Sequence, residues 1–262
     1  MNISLVGIHA LVCGSTQGIG KASAIELAKL GAKVTLLARN KEALVQTCKE
    51  LDTSANQVHD FIVADFSNIN GLKTSLEDYI NKGNSISILV NNTGGPPAGP
   101  IAGAKMDEFL VAFNNHLLCN HLLVQLCIDG MKKNGYGRII NIISTSVKQP
   151  LKGLGVSNTI RAAVANWSKT LSLELAPYGI TVNNVLPGAT RTQRLETIIS
   201  NKAQKNSESV TAVEQEMLSE IPMSRFAEAS EIAAAVAFLA SPAASYINGI
   251  NLPVDGGRTG CL

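Results

Sequence analysis

Short apolar runs alternate along the chain with segments in which apolar residues recur every three or four positions. A strand that is covered on both faces needs apolar residues throughout, whereas a helix needs them on one face only. The pattern therefore predicts strands that alternate with helices. We expect strands at residues 8–13, 33–38, 59–64, 86–91, 138–143, 180–186 and 249–254, and helices at 21–30, 41–51, 70–81, 105–133, 156–176 and 228–240.

Strands separated by helices are typical of a parallel sheet with helices on both faces. The chain shows neither a linker nor an internal repeat, so we expect a single α/β domain with a doubly wound parallel sheet over residues 1–262. The one long polar stretch, residues 201–215, is either a surface helix or a mobile lid, and we favour the lid. The run 94–100, rich in glycine and proline, is interpreted as a loop at the mouth of a site.

Three glycines connect the first predicted strand to the first predicted helix, with the spacing Gly-x3-Gly-x-Gly. Glycine permits a tight turn and a close approach of the backbone to a phosphate, and the free N–H groups of a helix N-terminus attract an anion. We therefore expect the pyrophosphate of a dinucleotide at Gly14, Ser15, Gly18 and Ile19. The alternative is an ordinary glycine turn between a strand and a helix.

The composition is typical of a folded globular protein and indicates neither a nucleic-acid-binding surface nor a membrane-spanning segment. Of the 262 residues, 45% are hydrophobic and 16% are charged, which suits a large core and excludes a disordered chain. The net charge is +2 with both signs interspersed, so we expect no nucleic-acid partner, and no apolar run reaches membrane-spanning length. The five cysteines are scattered and the first residues lack the basic region of a signal peptide, so we expect reduced thiols in a cytoplasmic protein.

The end of the second predicted strand indicates which cofactor is preferred. An acidic residue there would bind the ribose hydroxyls of NAD and repel a 2′-phosphate. The chain instead has Arg39, whose guanidinium can bind a 2′-phosphate with two hydrogen bonds, so we expect NADP(H) in preference to NAD(H). Asp65, after the third strand, is placed to accept a hydrogen bond from the adenine amino group. The alternatives are a solvated Arg39 at the start of a helix and an Asp65 that caps the next helix.

Further motifs follow in order: Asn-Asn-x-Gly at 91–94, Gly-Arg-Ile at 137–139, Ile-Thr-Val-Asn at 180–183, Pro-Gly at 187–188 and Val-Asp-Gly-Gly at 254–257. Together with the glycine turn, these motifs resemble the short-chain dehydrogenase/reductase family over nearly the whole chain. The resemblance implies a Rossmann-type fold and a homotetramer. It also implies that Asn91, Gly94 and Thr192 line the cofactor.

In that family a serine, a tyrosine and a lysine carry out the reaction, and an asparagine in the long helix supports a water relay. Ser144 and Asn115 stand at the serine and asparagine positions of this chain. The tyrosine is expected thirteen residues after Ser144 and the lysine four residues later, and these positions hold Ser157 and Arg161. The resemblance thus implies that Ser144, Asn115, Ser157 and Arg161 surround the reacting carbon, with Arg161 also on the cofactor.

The two replacements change the acid chemistry of the site. A serine hydroxyl is a far weaker acid than a phenol, and losing a positioned general acid costs ~10²–10⁴ in rate. A guanidinium stays protonated, yet it can bind ribose hydroxyls and stabilise a developing alkoxide. The substitute proton donors are water, Lys148, Lys152 and His116.

We therefore expect an oxidoreductase that transfers hydride between NADP(H) and a small carbonyl or alcohol substrate, with a non-standard proton donor. The alternative is a dinucleotide-binding protein that has lost redox activity and acts as a sensor or assembly partner. A third interpretation is elimination or isomerisation with a retained cofactor.

In the tetramer that the resemblance implies, helices 105–133 and 156–176 pair across a two-fold axis, and the last strand forms a second contact. The apolar stripe of Val164, Trp167 and Leu171 packs either at such an interface or only inside the subunit.

Overall fold

Within residues 1–261, which the computed structural model describes, seven parallel strands form one sheet in the order β3-β2-β1-β4-β5-β6-β7. The strands are β1 (His9–Cys13), β2 (Lys33–Ala38), β3 (Asp60–Val63), β4 (Ile88–Asn91), β5 (Gly137–Ile142), β6 (Ile180–Pro187) and β7 (Asn251–Val254). The strand order reverses between β1 and β4, and in such sheets ligands bind in the crevice at the carboxyl ends of the strands on either side of the reversal. The predicted Rossmann-type, doubly wound α/β fold is confirmed.

Helices cover both faces of the sheet. They are α1 (Gly18–Lys29), α2 (Lys41–Lys49), α3 (Ile69–Asn81), α4 (Met106–Phe113), α5 (Cys119–Asn134), α6 (Gly155–Leu175), α7 (Gln193–Asn206), α8 (Val210–Ser219) and α9 (Ala229–Ala240). Along β1, Ala10 and Val12 belong to the core layer under α1 and α9, whereas Leu11 and Cys13 belong to the layer under α3 and α5. This alternation explains why β1 carries apolar residues on both of its faces. No helix in residues 1–261 is both long enough and apolar enough to cross a membrane.

The predicted helix 105–133 is divided into three segments. A π turn, Asn114–Leu118, separates α4 from α5. Because a π turn contains more residues than an α turn, it rotates the side chains that follow it relative to those before it. Phe113, the last residue of α4, and Leu118, the last residue of the π turn, are both exposed.

Residues 201–215 form the end of α7, a three-residue connection and the start of α8, so they are helical as the surface-helix alternative expects, while their role as a lid stays a prediction. The side chains of Thr192 and Ser209 cap the N-termini of these helices. Ile199 and Val213 are buried in a small core of their own. The polar residues cover the outer face, which is why the stretch shows little apolar character in the sequence.

The stripe of Val164, Trp167 and Leu171 packs inside the subunit, as its second interpretation proposes. Val164 is fully buried, and Leu171 belongs to the core layer under α3 and α5. Among the large apolar side chains that face solvent in residues 1–261 are Met106 and Leu110 of α4 and Leu173 of α6.

Asparagines on four neighbouring strands, three buried and the last half-buried, bind one another in a row, which we call the amide ladder. Asn91 Nδ2 donates to Asn141 Oδ1 (2.9 Å), Asn141 Nδ2 to Asn184 Oδ1 (3.0 Å), and Asn184 Nδ2 to Asn251 Oδ1 (2.8 Å). The four residues are direct register partners across β4, β5, β6 and β7. A buried amide without its partner costs about 1–3 kcal/mol, so the ladder favours one register over any slipped alternative.

The Asn141→Ala variant leaves the Asn91 donor and the Asn184 acceptor unpaired in the core. We expect its free energy of unfolding to fall by about 2–5 kcal/mol, measured by urea denaturation. Asn166→Ala, at an exposed position of α6, is the matched control and should change stability by less than ~0.5 kcal/mol. Equal effects of the two variants would contradict a stabilising ladder.

Candidate active site

The glycine turn lies between the carboxyl end of β1 and the N-terminus of α1. Gly14 and Gly18 have positive φ angles of 58° and 53°. A Cβ at Gly14 would lie 2.7 Å from the Asn92 carbonyl oxygen, and one at Gly20 would collide with the Gly14 carbonyl oxygen. Asn92 Nδ2 donates to the carbonyl oxygens of Cys13 (3.2 Å) and Gly14 (3.3 Å), which joins the turn to the end of β4. The result is a backbone cradle without side chains, which fits a pyrophosphate.

The other residues expected at this turn surround it. Ser15 is buried and its Oγ donates to the Leu37 carbonyl oxygen at 3.4 Å, while Ile19 is half-buried against the core. A Cβ on Gly18 would lie 3.2 Å from Thr192 Cγ2. The N-terminus of α7 therefore stands directly over the glycine turn, so Thr192 is brought to the place where the sequence predicts a cofactor contact.

Arg39 and Asp65 form an exposed pair after β2 and β3. Arg39 Nη1 lies 3.9 Å from Asp65 Oδ2, and the two side chains are 76% and 40% exposed. The backbone N–H of Ser67 donates to Asp65 at 2.9 Å and is the main cause of the lowered pKa of this carboxyl. The side chain of Asn68 caps α3, so the alternative in which Asp65 caps this helix is wrong. The pair is accessible to an adenosine group that carries a 2′-phosphate.

Asn91 and Gly94 lie at and just beyond the end of β4. The Asn91 side chain is part of the amide ladder, and its buried Oδ1 has no hydrogen-bond partner within residues 1–261. Buried acceptors are usually paired with a protein group, a water or a ligand. A Cβ on Gly94 would meet nothing within 4 Å, so this part of the loop borders open space.

Ser144 follows the carboxyl end of β5, and Arg161 of α6 binds the backbone of the same strand end. Ser144 caps a short 3₁₀ turn by accepting a hydrogen bond from the Ser146 N–H at 3.1 Å. Ser157 and Arg161 lie one turn apart in α6, and both are buried. Arg161 Nη1 donates to the Ile142 carbonyl oxygen at 2.8 Å. Because Ile142 is two residues before Ser144, the guanidinium lies beside the strand end that carries this hydroxyl.

Asn115 and His116 belong to the π turn, which packs against α6. Such turns are frequent at functional sites. His116 is buried, and its Nδ1 lies 2.6 Å from Thr93 Oγ1. Burial, and then the charges of Arg161 and Arg194, lower the pKa of His116 to about 3. The imidazole is therefore neutral at pH 7, which makes it a poor substitute proton donor.

A cavity of about 290 Å³ lies between the loop after β4 and the segment formed by α4 and the π turn. Gly94 and Asn115 line it, together with His116. Arg194 of α7 reaches the loop that forms one wall, where its Nη2 donates to the Pro96 carbonyl oxygen at 2.6 Å. The cavity size suits a small molecule rather than a polymer.

Three of the four tyrosines of the chain make contacts elsewhere in the part of the chain that the structure describes. The Tyr136 hydroxyl donates to the Ala240 carbonyl oxygen at 2.6 Å, and Tyr178 is exposed with Lys132 over its ring. Tyr79 binds Thr35 at 2.8 Å, and Tyr246 is fully exposed.

A family model described as Enoyl-(Acyl carrier protein) reductase matches residues 14–259 of the chain. A solved structure of a short chain dehydrogenase/reductase family protein has a TM-score of 0.81 at 30% identity, covering 97% of this chain and 99% of that one. The chain belongs to the short-chain dehydrogenase/reductase family. The resemblance drawn from the motifs is thereby confirmed.

Similar members of the short-chain dehydrogenase/reductase family come from several bacteria. The NADPH-dependent reductase BacG of Bacillus subtilis is 31% identical over 95% of this chain and 96% of its own. The 3-oxoacyl-(acyl-carrier-protein) reductase FabG of Haemophilus influenzae is 34% identical over 96% of this chain and 98% of its own. The structure of L-sorbose reductase from Gluconobacter frateurii, complexed with NADPH and L-sorbose, has a TM-score of 0.92 at 28% identity and covers 100% of both chains.

The sequence motifs do not predict two further residues of the candidate site. Thr93 is the hydrogen-bond partner of His116, and Arg194 spans from α7 to the loop after β4. Thr93 lies within the Asn-Asn-x-Gly motif, whose variable position carries no prediction. Arg194 follows Thr192 by two residues, but only the packing of α7 over the sheet shows which way its side chain runs.

The buried, neutral state of His116 makes stability depend on pH. The ordinary pKa of histidine, 6.5, holds in the unfolded chain, whereas the folded value is about 3, so the unfolded state binds the proton first. The neutral His116 side chain makes its full contribution to the free energy of unfolding above pH 6.5. As the pH falls from 6.5 toward 3, the free energy of unfolding decreases by up to about 1.4 kcal/mol per pH unit. In His116→Gln this part of the acid sensitivity should vanish, as measured by urea unfolding at a series of pH values. Curves for the two proteins that stay parallel below pH 6.5 would contradict a buried neutral imidazole.

Proposed function

We propose that the protein is an NADP(H)-dependent oxidoreductase that interconverts a small carbonyl compound and its alcohol. One observation carries the proposal. The glycine cradle after β1 and the Ser144–Arg161 pair after β5 open on the same edge of the sheet, with only β4 between them. A dinucleotide that lies across the strand reversal would thus reach from the cradle to the buried cation.

The cofactor assignment rests on the residues that face each part of a dinucleotide. The pyrophosphate is assigned to Gly14, Ser15, Gly18 and Ile19, and the nicotinamide half to Asn91, Gly94, Arg161 and Thr192. Arg39 supports NADP(H) over NAD(H), because an exposed guanidinium favours a 2′-phosphate. Relatives described as NADPH-dependent, and a neighbouring structure solved with NADPH, support the same choice.

The Arg39→Ala variant tests this preference. Loss of a charge-assisted contact should weaken NADPH binding by ~1.5–3 kcal/mol and leave NADH binding nearly unchanged, as measured by calorimetric titration. Lys41→Ala, which removes an exposed cation two residues away, is the matched control and should leave NADPH binding within about twofold. Equal or tighter binding of NADH by the unaltered protein would contradict the assignment.

Bound NADPH would supply the hydride, and the protein residues would hold and polarise the substrate. Ser144 would donate a hydrogen bond to the carbonyl oxygen, and Asn115 would support water at the π turn. Arg161 remains cationic at pH 7, since burial followed by the nearby Arg194 lowers its pKa only to about 10. A fixed cation beside a carbonyl stabilises the negative charge that develops on its oxygen. Because His116 is neutral and Ser157 is a weak acid, the proton would come from water or from Lys148 or Lys152 of the loop after β5.

Ser157 and Arg161 occupy, in this proposal, the positions of the family's tyrosine and lysine. We favour a site adapted to another substrate over a site that has merely been disabled. Arginine keeps the positive charge of lysine and adds a planar fork that suits a carboxylate or an alkoxide. Arg161 Nη1 donates a hydrogen bond to the Ile142 carbonyl oxygen, and this bond holds the guanidinium in place.

The double variant Ser157→Tyr with Arg161→Lys distinguishes the two cases. In an adapted site it should lower kcat/KM by roughly 10–100-fold, because the bidentate cation is lost. The assay is NADPH oxidation with keto acids, keto sugars and acyl thioester ketones, with Arg161→Lys and Arg161→Ala as single-variant controls. An inactive parent and an active double variant would favour the dinucleotide-binding sensor instead. Product formation with a retained cofactor would favour elimination or isomerisation.

A homotetramer is part of the proposal. The exposed Met106, Leu110 and Val111 of α4 give this helix an apolar outer face, which suits a symmetric contact with a second copy. We expect light scattering at micromolar concentration to give four times the subunit mass of 27.6 kDa. A monomer mass under these conditions would remove this part of the proposal.

The cysteines fit a protein of a reducing compartment such as the cytoplasm. All five are free, and Cys13, Cys119 and Cys127 are buried. Burial is the largest cause that raises the pKa of Cys119 to about 11 and of Cys127 to about 12. Thiols in this state are unreactive and need no role in the reaction.

A further inference from the structure

Two arginines near the cavity lack an acidic partner. Within residues 1–261, neither Arg161 nor Arg194 has a carboxylate within 4.0 Å, although eight other ion pairs are present there. Arg161 is only 8% exposed. Buried charges in proteins are normally paired, because removing an isolated ion from water costs several kcal/mol. Arg161 is such a buried cation without a counter-ion, whereas Arg194 is exposed and bound to Pro96 of the cavity wall. An anionic ligand at this site would supply the missing negative charge.

Arg194 lies against the cavity wall, whereas Arg161 lies next to the strand end that carries Ser144. Arg194 Nη2 donates to the Pro96 carbonyl oxygen, and a Cβ on Gly95 would lie 3.4 Å from the same nitrogen, so the guanidinium lies against two residues of the cavity wall. His116, on the opposite wall, is close enough to both arginines for their charges to lower its pKa. Within the described residues the Arg194 guanidinium makes one hydrogen bond, which leaves further N–H donors for a ligand.

We propose that the substrate is a small keto acid, or the matching hydroxy acid, whose carboxylate is bound by Arg194 while its carbonyl faces Ser144 and Arg161. This inference deepens the proposed function and rests on its site. A planar carboxylate matches the fork of a guanidinium, which gives both affinity and orientation.

The acidic residues of the cavity fix the orientation and limit the charge. Asp107 and Glu108 line the side formed by the first turn of α4, and Glu108 Oε2 accepts from the Lys105 N–H at 2.7 Å. An anionic group is repelled from that side, so the carboxylate must point toward Arg194 and the rest of the molecule must be uncharged. The volume of about 290 Å³ lies at the small end of ligand sites, so the compound has few atoms beyond the keto acid group.

Binding of matched acid and ester pairs tests the inference without requiring turnover. The probes are pyruvate, 4-methyl-2-oxopentanoate and phenylpyruvate, each with its methyl ester, titrated calorimetrically into the protein saturated with NADP⁺. We expect at least one acid to bind ~10-fold or more tightly than its ester. Arg194→Ala should weaken that acid by roughly 10–100-fold and leave the ester unchanged, and Arg194→Lys should restore part of the difference.

Arg191→Ala is the matched control. Arg191 is a second exposed arginine at the start of the same segment, but it contacts Glu228 (3.4 Å) and the Phe226 ring rather than the cavity wall. The Arg191→Ala variant should therefore still bind the acid more tightly than its ester. Circular dichroism of each variant separates lost binding from lost folding, and Arg194→Gln provides a second neutral variant at the same position.

The outcomes separate this inference from the proposed function. Acid preference that depends on Arg194, without NADPH turnover, supports the inference and removes the oxidoreductase proposal. Turnover of neutral ketones without acid preference supports the oxidoreductase proposal and overturns the inference. Equal affinity for acids and esters, no binding of any acid at millimolar concentration, or equal losses in Arg191→Ala and Arg194→Ala would each overturn the inference.

Discussion

Amide side chains hold β4, β5, β6 and β7 in one register, and the residues of the site follow the carboxyl ends of β4, β5 and β6. The ladder from Asn91 to Asn251 joins β4 to β7 through side chains, in addition to the backbone bonds between neighbouring strands. One residue beyond Asn91, the amide of Asn92 binds the turn that follows β1. The same kind of group therefore fixes both the sheet and the cradle. A slip of one residue in β4 would displace the glycine turn and the loop after β4 together.

Elements whose cause is local were predictable from the sequence. The strands are apolar on both faces, so they stand out as short continuous runs, and the glycine turn needs glycine because side chains at Gly14 and Gly20 would collide with the backbone. The family motifs added the site residues, and Ser144 and Arg161 indeed lie beside the same strand end. These parts of the fold depend on residues that are neighbours in the chain.

Several features of the structure were not predictable from the sequence, because they depend on contacts between segments that are distant in the chain. The π turn arises within an unbroken helical pattern, and nothing in residues 105–133 marks where the additional residue is accommodated. Residues 201–215 look unstructured because the side chains that they pack against, such as Phe226, lie outside the stretch. Asp65 and Asn68 are both good helix caps, and only the geometry of the turn selects Asn68. The role of Arg194 requires α7 to be placed over the sheet.

Because of the amide ladder, we expect different parts of the molecule to exchange their backbone amide hydrogens with solvent at different rates. Backbone amides of β4, β5 and β6 are enclosed by neighbouring strands and anchored side chains, so their hydrogens exchange with solvent mainly when the whole domain unfolds. The loop after β4 and the α7–α8 segment lie outside this block, and α8 is attached mostly to α7. Openings of these outer parts can therefore occur many times before the sheet opens once. We therefore expect amide hydrogens at the sheet edge beside the glycine turn to exchange more slowly than those in the walls of the cavity.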